Sequence, residues 1–272
     1  MKKILLLLAI TFIAAQAFAT IDTLSIYSNS MFKYKKCVVI TPTNYGSTTA
    51  RFPVVYLLHG YSGNYANWAK QVPDIQQLAD ANQLMIVCPD GNFGSWYFDS
   101  PVDLTSMYET HVSKEIPRYI DSLYRTIPSR KGRAIAGLSM GGHGAMFIAF
   151  RHAQDFGACG SMSGALMTHA IKRGYSMQQI LGDTIANNQY YQDFSVYNVI
   201  DKQPSDSLAI IIDCGTSDQI FEMSKQVHEK LTRLKIPHDY TERPGKHNWP
   251  YWNNAIRYQL LFFKEYFKKN NK

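Results

Sequence analysis

A serine, an aspartate and a histidine, set far apart in the chain, have the types and surroundings needed for nucleophilic catalysis. Ser139 stands in Gly137-Leu138-Ser139-Met140-Gly141, directly after the apolar run Ala134-Ile135-Ala136. This G-x-S-x-G spacing is the pattern of a nucleophile elbow, a sharp turn between a strand and a helix. Side chains two residues before and after such a serine would collide with neighbouring backbone; Gly137 and Gly141 carry none. A phosphate loop would need Gly-Lys-Ser/Thr, and here the chain runs Gly141-Gly142-His143-Gly144 instead. A serine hydroxyl is a weak nucleophile, so the reading requires a base and a carboxylate that orients it.

Six histidines follow the serine: His143, His152, His169, His228, His238 and His247. His143 and His152 fall on the helix expected behind the serine, and His228 on a later helix. His169 lies in an irregular stretch, and His238 opens the last expected strand. Only His247 sits in a loop past that strand, in Pro244-Gly245-Lys246-His247-Asn248-Trp249, and it is the expected base. The chain order serine, acid, histidine puts the carboxylate within Asp213-Cys214-Gly215-Thr216-Ser217-Asp218. Asp213 is still inside a strand run and reads as a structural residue bonded to loop amides. Asp218, past the turn, is favoured; its structural alternative is the cap of the next helix. Charge developing on the substrate oxygen needs hydrogen-bond donors. The amide of Met140 is expected to supply one, and that of Tyr61, in Leu58-His59-Gly60-Tyr61, the other. His59 is expected to brace that loop from inside rather than to act as a base.

These residues need a frame. Apolar runs at Leu24–Tyr27, Tyr34–Thr41, Val54–Leu58, Leu84–Cys88, Arg133–Leu138, Gly157–Met162, Leu208–Cys214 and His238–Glu242 read as strands. Helices are expected between them, around 71–81, 107–124, 141–152, 218–234 and 249–267. In the second, Val112, Ile116, Ile120 and Leu123 share one face, and Pro117 should kink or shorten it. Residues 165–207 read as irregular, with short helical pieces. Continuous apolar strands alternating with helices imply a mostly parallel sheet with helices on both faces. The expected class is an open, doubly wound α/β fold, in which chemistry gathers at the carboxyl ends of the strands.

Composition narrows the setting. Lys2-Lys3, the apolar run from Ile4 to Ile13 and Ala17-Phe18-Ala19 together read as a secretory signal peptide over 1–19, too short for a membrane span. Export to the periplasm or the medium after cleavage near Ala19 is the expectation. The remainder, 20–272, has no linker or repeat and reads as one domain. The formal charge of +7 includes Lys2 and Lys3; the remaining +5 is scattered apart from the tail lysines 264, 268, 269 and 272. Nucleic-acid binding would want a basic stripe with interleaved aromatics, which this is not. Cys37, Cys88, Cys159 and Cys214 lie in or beside apolar runs, and free buried thiols are expected over disulfides. No CxxC or HExxH spacing supports a metal site, and the chemistry above requires no cofactor.

Leu57-Leu58-His59-Gly60-Tyr61-Ser62-Gly63-Asn64, Gly94-Ser95-Trp96-Tyr97, Gly137–Gly142, Gly215-Thr216-Ser217-Asp218 and Gly245-Lys246-His247 resemble the esterase D–type α/β-hydrolases. That group contains feruloyl and acetylxylan esterases, tributyrin esterases, S-formylglutathione hydrolases and mycolyltransferases. The resemblance spans most of residues 20–272, with the motif blocks in the family's order. It implies the α/β-hydrolase fold, a Ser139–Asp218–His247 triad, and the Tyr61 and Met140 amides as oxyanion donors. It further implies that Glu109, in Tyr108-Glu109-Thr110, supports the site, while an ordinary helix-surface role stays open. Trp96 and Tyr97 are expected to wall the pocket or to plug the space beneath its loop, and 165–207 sits where relatives place a lid or pocket wall. The implied activity is an exported serine carboxylesterase that hydrolyses short-chain or aromatic acyl esters through an acyl-enzyme, feruloyl or acetyl esters of plant polysaccharide among them. A thioesterase of the S-formylglutathione type, a serine peptidase and a non-catalytic carbohydrate-binding relative are the alternatives.

Overall fold

Eight strands make one sheet in a computed structural model that describes residues 21–171, 174–202 and 208–271. The expected signal peptide lies outside the described residues. The strands are β1 (Ile21–Ser28), β2 (Lys33–Ile40), β3 (Val54–Leu58), β4 (Met85–Pro89), β5 (Arg133–Leu138), β6 (Ala158–Met162), β7 (Ala209–Gly215) and β8 (Asp239–Arg243). Their order is β1-β2-β4-β3-β5-β6-β7-β8. β2 pairs antiparallel with both β1 and β4, and every other pairing is parallel. This is the mostly parallel α/β sheet expected from the apolar runs.

The register sets the site. Leu58 pairs with Gly137, Leu138 with Met162, and Met162 with Asp213. The carboxyl ends of β3, β5, β6 and β7 are therefore level, and the loops bearing Tyr61, Ser139, Ala165 and Asp218 leave from one edge. β3, β4, β5 and β6 are buried almost throughout because helices cover both faces. On one face the helix Met140–Arg151 packs with Val112, Ile116 and Ile120. On the other, Trp68 and Ile75 pack with Trp252, Ile256, Leu260 and Phe263 of the C-terminal helix Trp249–Asn270. Among the described residues no helix is long and apolar enough to cross a membrane.

Proline accounts for two departures from the expected elements. The helix expected around 71–81 is two helices, Asn67–Gln71 and Ile75–Asn82, separated at Pro73. The segment from Tyr108 to Leu123, by contrast, is not cut at Pro117. It runs Tyr108–Thr110, then a π-helical turn His111–Glu115, then Ile116–Leu123. Proline lacks the N–H that would bond to the carbonyl four residues back, and its ring crowds that carbonyl. A wider turn just before Pro117 relieves the conflict and lets the helix continue. All four cysteines are free and buried, as expected.

Candidate active site

Ser139 has φ 54° and ψ −117°, a conformation that a residue with a side chain rarely adopts. The turn is held on both sides. Ser139 N–H donates to Met162 O (3.0 Å), and Ser139 O accepts from His143 N–H (3.0 Å) and Ala165 N–H (3.2 Å). Glycine is required on either side of it. A Cβ on Gly137 would meet Gly141 O at 2.4 Å, and one on Gly141 would meet His59 O at 2.5 Å. Backbone cannot retreat from such contacts, so the spacing read in the sequence has a steric cause here.

His247 reaches this serine from the loop after β8. Its Nε2 lies 2.9 Å from Ser139 Oγ, and its Nδ1 lies 2.9 Å and 3.0 Å from the two carboxylate oxygens of Asp218. With Nδ1–H donating to Asp218, Nε2 is left to accept from the serine hydroxyl. The Asp218 side chain is fully buried, whereas His247 is one-fifth exposed. Burial pushes the Asp218 carboxyl up. Hydrogen bonds from His247 and from the Ile220 N–H (2.9 Å) outweigh it, so the group titrates below the usual carboxylate range. Asp213 is elsewhere engaged. It is buried in β7, where its carboxylate takes hydrogen bonds from Arg243 and the Tyr251 hydroxyl rather than from loop amides.

Tyr61 and Met140 both line space that Ser139 also lines. Met140 opens the helix Met140–Arg151, so its N–H belongs to the first turn, where donors have no partner within the helix. His59, fully buried, spans the base of the Tyr61 loop. Its Nδ1–H donates to Gly60 O (2.8 Å) and its Nε2 accepts from Gly91 N–H (2.8 Å). With both nitrogens used, the ring is a brace. Tyr97 performs a related task from beneath: its hydroxyl donates to His59 O (3.0 Å), and its ring packs where Gly144 has no side chain. Tyr97 therefore supports the loop and does not line the recess beside Ser139; of the pair, only Trp96 does.

Glu109, expected to support the site or to sit on a helix surface, bonds to none of Ser139, Asp218 and His247. Its carboxylate accepts from Arg151 Nε (2.7 Å) and His152 Nε2 (2.8 Å). Those residues end the twelve-residue helix that begins at Met140, about 18 Å away along its axis. Buried at 4% exposure, Glu109 is no surface carboxylate either. It anchors the far end of the helix behind the serine.

Two recesses meet at Ser139. An open cleft of about 270 Å³ runs past Tyr61, Asn67, Gln219, Trp249 and Trp252. A smaller recess of about 100 Å³ is walled by Trp96, Ala165, Ile171, Ile220 and Met223. Tyr175 borders both, and its carbonyl accepts from Trp96 Nε1 (2.8 Å). The sequence reading missed Tyr175, Gln219 and Met223, which occupy irregular or helical segments with no motif. It also passed over Trp249 and Trp252, although both follow His247 closely. The Trp252 ring stands edge-on to the His247 imidazole, centroids 4.9 Å apart, and was open to discovery from that proximity alone.

Comparison with known proteins gives the family and the fold. The Esterase family model, described as "Putative esterase", matches residues 28–263. An esterase of Mycobacterium tuberculosis (strain CDC 1551 / Oshkosh) is 27% identical over 236 residues, 77% of this chain and 51% of that protein. The chain thus spans about half the length of this curated relative. An acetyl esterase of Caldicellulosiruptor saccharolyticus is 27% identical over 214 residues, 74% of this chain and 79% of that protein. Among solved structures, a ferulic acid esterase superposes with a TM-score of 0.79 at 26% identity, covering 92% of this chain and 99% of that one. The S-formylglutathione hydrolase of Staphylococcus aureus shares the fold, with a TM-score of 0.78 at 20% identity over 90% of this chain and 99% of that one. With the matched residues running from the end of β1 into the C-terminal helix, the chain belongs to the Esterase family and has its α/β-hydrolase fold.

Proposed function

We propose that this protein is an exported serine carboxylesterase that works through an acyl-enzyme, with Ser139 as nucleophile, His247 as base and Asp218 as its orienting acid. The observation that carries the proposal is the chain of contacts from Ser139 Oγ to His247 Nε2 and from His247 Nδ1 to Asp218, at 2.9 Å each. As Oγ attacks the ester carbonyl, His247 takes its proton and the Asp218 carboxylate stabilises the imidazolium. The Tyr61 and Met140 amides hold the developing oxyanion. The imidazolium returns its proton to the leaving alcohol. Water then enters, gives a proton to His247 and attacks the acyl-enzyme, which releases the carboxylic acid and restores Ser139. Feruloyl or acetyl esters on plant polysaccharide suit an exported enzyme whose relatives include an acetyl esterase and a ferulic acid esterase.

Hydrolysis of p-nitrophenyl acetate tests this reading. Turnover by the wild type and its loss in Ser139→Ala, with an unchanged circular dichroism spectrum, is the expected outcome. A fully active Ser139→Ala protein overturns it.

A further inference from the structure

We propose that the uncovered sheet face of the β1–β2 hairpin, bearing Tyr27, Tyr34 and Lys36, is a docking surface for a neutral polysaccharide chain and continues the cleft at Ser139. This rests on the serine esterase reading above and deepens it, since it gives the ester a polymeric carrier that is held away from the reacting bond.

The register places this face beside the site. Cys37 pairs with Pro89, the last residue of β4, so Lys33 to Lys36 extend past the carboxyl end of β4, at the edge from which the Ser139 turn leaves. Side chains alternate along a strand. Lys33 and Lys35 turn to one face, where their ammonium groups lie 5.7 and 5.5 Å from the Tyr108 ring centroid. Tyr34 and Lys36 turn to the other, where Lys36 Nζ lies 5.5 Å from the Tyr65 ring centroid. Tyr27 stands opposite Tyr34, the two rings edge-on with centroids 5.0 Å apart. Further along the same face, Val38 and Ile40 are buried with Trp68 and Ile75. Tyr27 and Tyr34 lie beyond that cover.

Tyr34 is 68% exposed, Tyr27 41%, and Phe32, in the turn of the hairpin, 81%. Single exposed apolar side chains are ordinary, whereas a group of them marks a contact surface. A tyrosine ring is an apolar plate with a polar tip, and a sugar ring is likewise an apolar C–H face rimmed by hydroxyls. Lys33 and Lys35 are engaged on the opposite face, with Thr105 O (2.7 Å) and Asp90 (3.3 Å). The strip is therefore aromatic with the one ammonium of Lys36, which donates to hydroxyls, and it fits a neutral chain. Its inner end is Tyr65. That residue belongs to the loop whose Tyr61, Gly63 and Asn67 line the cleft at Ser139. A small ester fills the cleft alone, while a polymer lying in so open a cleft must continue over neighbouring surface. A second copy of this chain fits less well, because a two-fold contact would bring two Lys36 ammonium groups into one small interface.

Affinity electrophoresis in native gels containing arabinoxylan, galactomannan or mixed-linkage β-glucan reads the contact without catalysis. Ser139→Ala protein should be retarded by at least one of these polymers. Adding Tyr27→Ala and Tyr34→Ala should weaken that binding by about 10-fold or more. In the wild-type background the same two exposed substitutions should leave the thermal melt and p-nitrophenyl acetate turnover nearly unchanged. No retardation by any of the three polymers, or retardation that the substitutions leave unchanged, overturns the docking surface. So does a wild-type dimer in sedimentation that Tyr34→Ala converts to monomer, which assigns the face to a second copy. Each of these results leaves the esterase reading in place if p-nitrophenyl acetate is still hydrolysed. Retardation that the substitutions abolish, in a protein that neither hydrolyses p-nitrophenyl acetate nor labels with a fluorophosphonate, overturns the esterase reading and keeps the surface.

Discussion

Gly215, the last residue of β7, lies backbone against backbone with Gly245, two residues before His247. A Cβ on Gly215 would come within 2.5 Å of the Gly245 carbonyl oxygen, and Ser217 N–H donates to that same oxygen at 2.9 Å. Asp218 follows three residues after Gly215. The contact therefore sets the separation between the loop that carries the carboxylate and the loop that carries the imidazole.

Gly215→Ala is expected to push these loops apart. A displacement of about 1 Å at a reacting group costs on the order of 100-fold in rate. The kcat for p-nitrophenyl acetate should fall 10- to 100-fold, roughly, with KM little changed and thermal stability lowered by about 1–3 kcal/mol. Steady-state kinetics and a thermal melt on the same preparation check both parts.

Asp218→Asn removes the charge that fixes the His247 tautomer while conserving shape. An amide can donate to Nδ1 and leave the proton on Nε2, where it blocks acceptance from Ser139. A fall in kcat of about 10⁴-fold is expected, with the melt close to wild type. Asp213→Asn, by contrast, disturbs the buried contacts to Arg243 and Tyr251. It should lower stability more than it lowers kcat per folded molecule, which active-site titration with a fluorophosphonate separates.

Glu109→Gln tests the anchoring role at the far end of the serine's helix. Burial pushes the Glu109 carboxyl up, but hydrogen bonds from His152 and Arg151 bring it below its ordinary value. A depressed carboxyl stabilises the fold above its unfolded value of about 4.3, and that contribution is lost as pH falls through the lower folded value. The variant should be about 1 kcal/mol less stable at pH 7, a modest figure because Arg151 is nearly half exposed. The deficit should shrink below about pH 4, and activity should barely change. Urea melts at pH 7 and at about pH 3.5 measure it.

His143, on the helix behind the serine, is fully buried, and burial pushes its imidazole down to about 3. It stacks on Phe147 at 5.8 Å and stands edge-on to Phe98 at 5.3 Å. The folded protein keeps this ring neutral where the unfolded chain protonates it, so stability falls as pH drops below about 6.5. His143→Phe should remove up to about 1.4 kcal/mol of that loss per pH unit between pH 6 and 4 and retain esterase turnover. Chemical denaturation across that range shows it as a flatter acid limb; an unchanged limb or abolished turnover would contradict the packing role.

The frame was legible because each parallel strand is a continuous apolar run and each turn at its carboxyl end has a chemical signature. Ser139 was legible for a steric reason, since only glycine fits at 137 and 141. His247 and Asp218 followed from being the histidine and carboxylate placed in loops at the correct end of the sheet. Glu109 could not be located by the same means. Its helix face was readable, but its partners Arg151 and His152 meet it across a packing interface that no local spacing encodes. The π turn before Pro117 was hidden for a similar reason, because a proline's effect on a helix depends on whether the preceding turn can widen. The pocket walls were least legible. Met223 and Gln219 look like ordinary helix and loop residues until the sheet brings them to Ser139.

The proposed nucleophile can be read directly. Treatment with a fluorophosphonate, proteolysis and mass spectrometry should place one phosphonyl adduct on the peptide containing Ser139, with stoichiometric loss of p-nitrophenyl acetate hydrolysis and no adduct in Ser139→Ala. An adduct on another serine that accounts for the lost activity, or continued hydrolysis by protein fully modified at Ser139, would contradict the assignment.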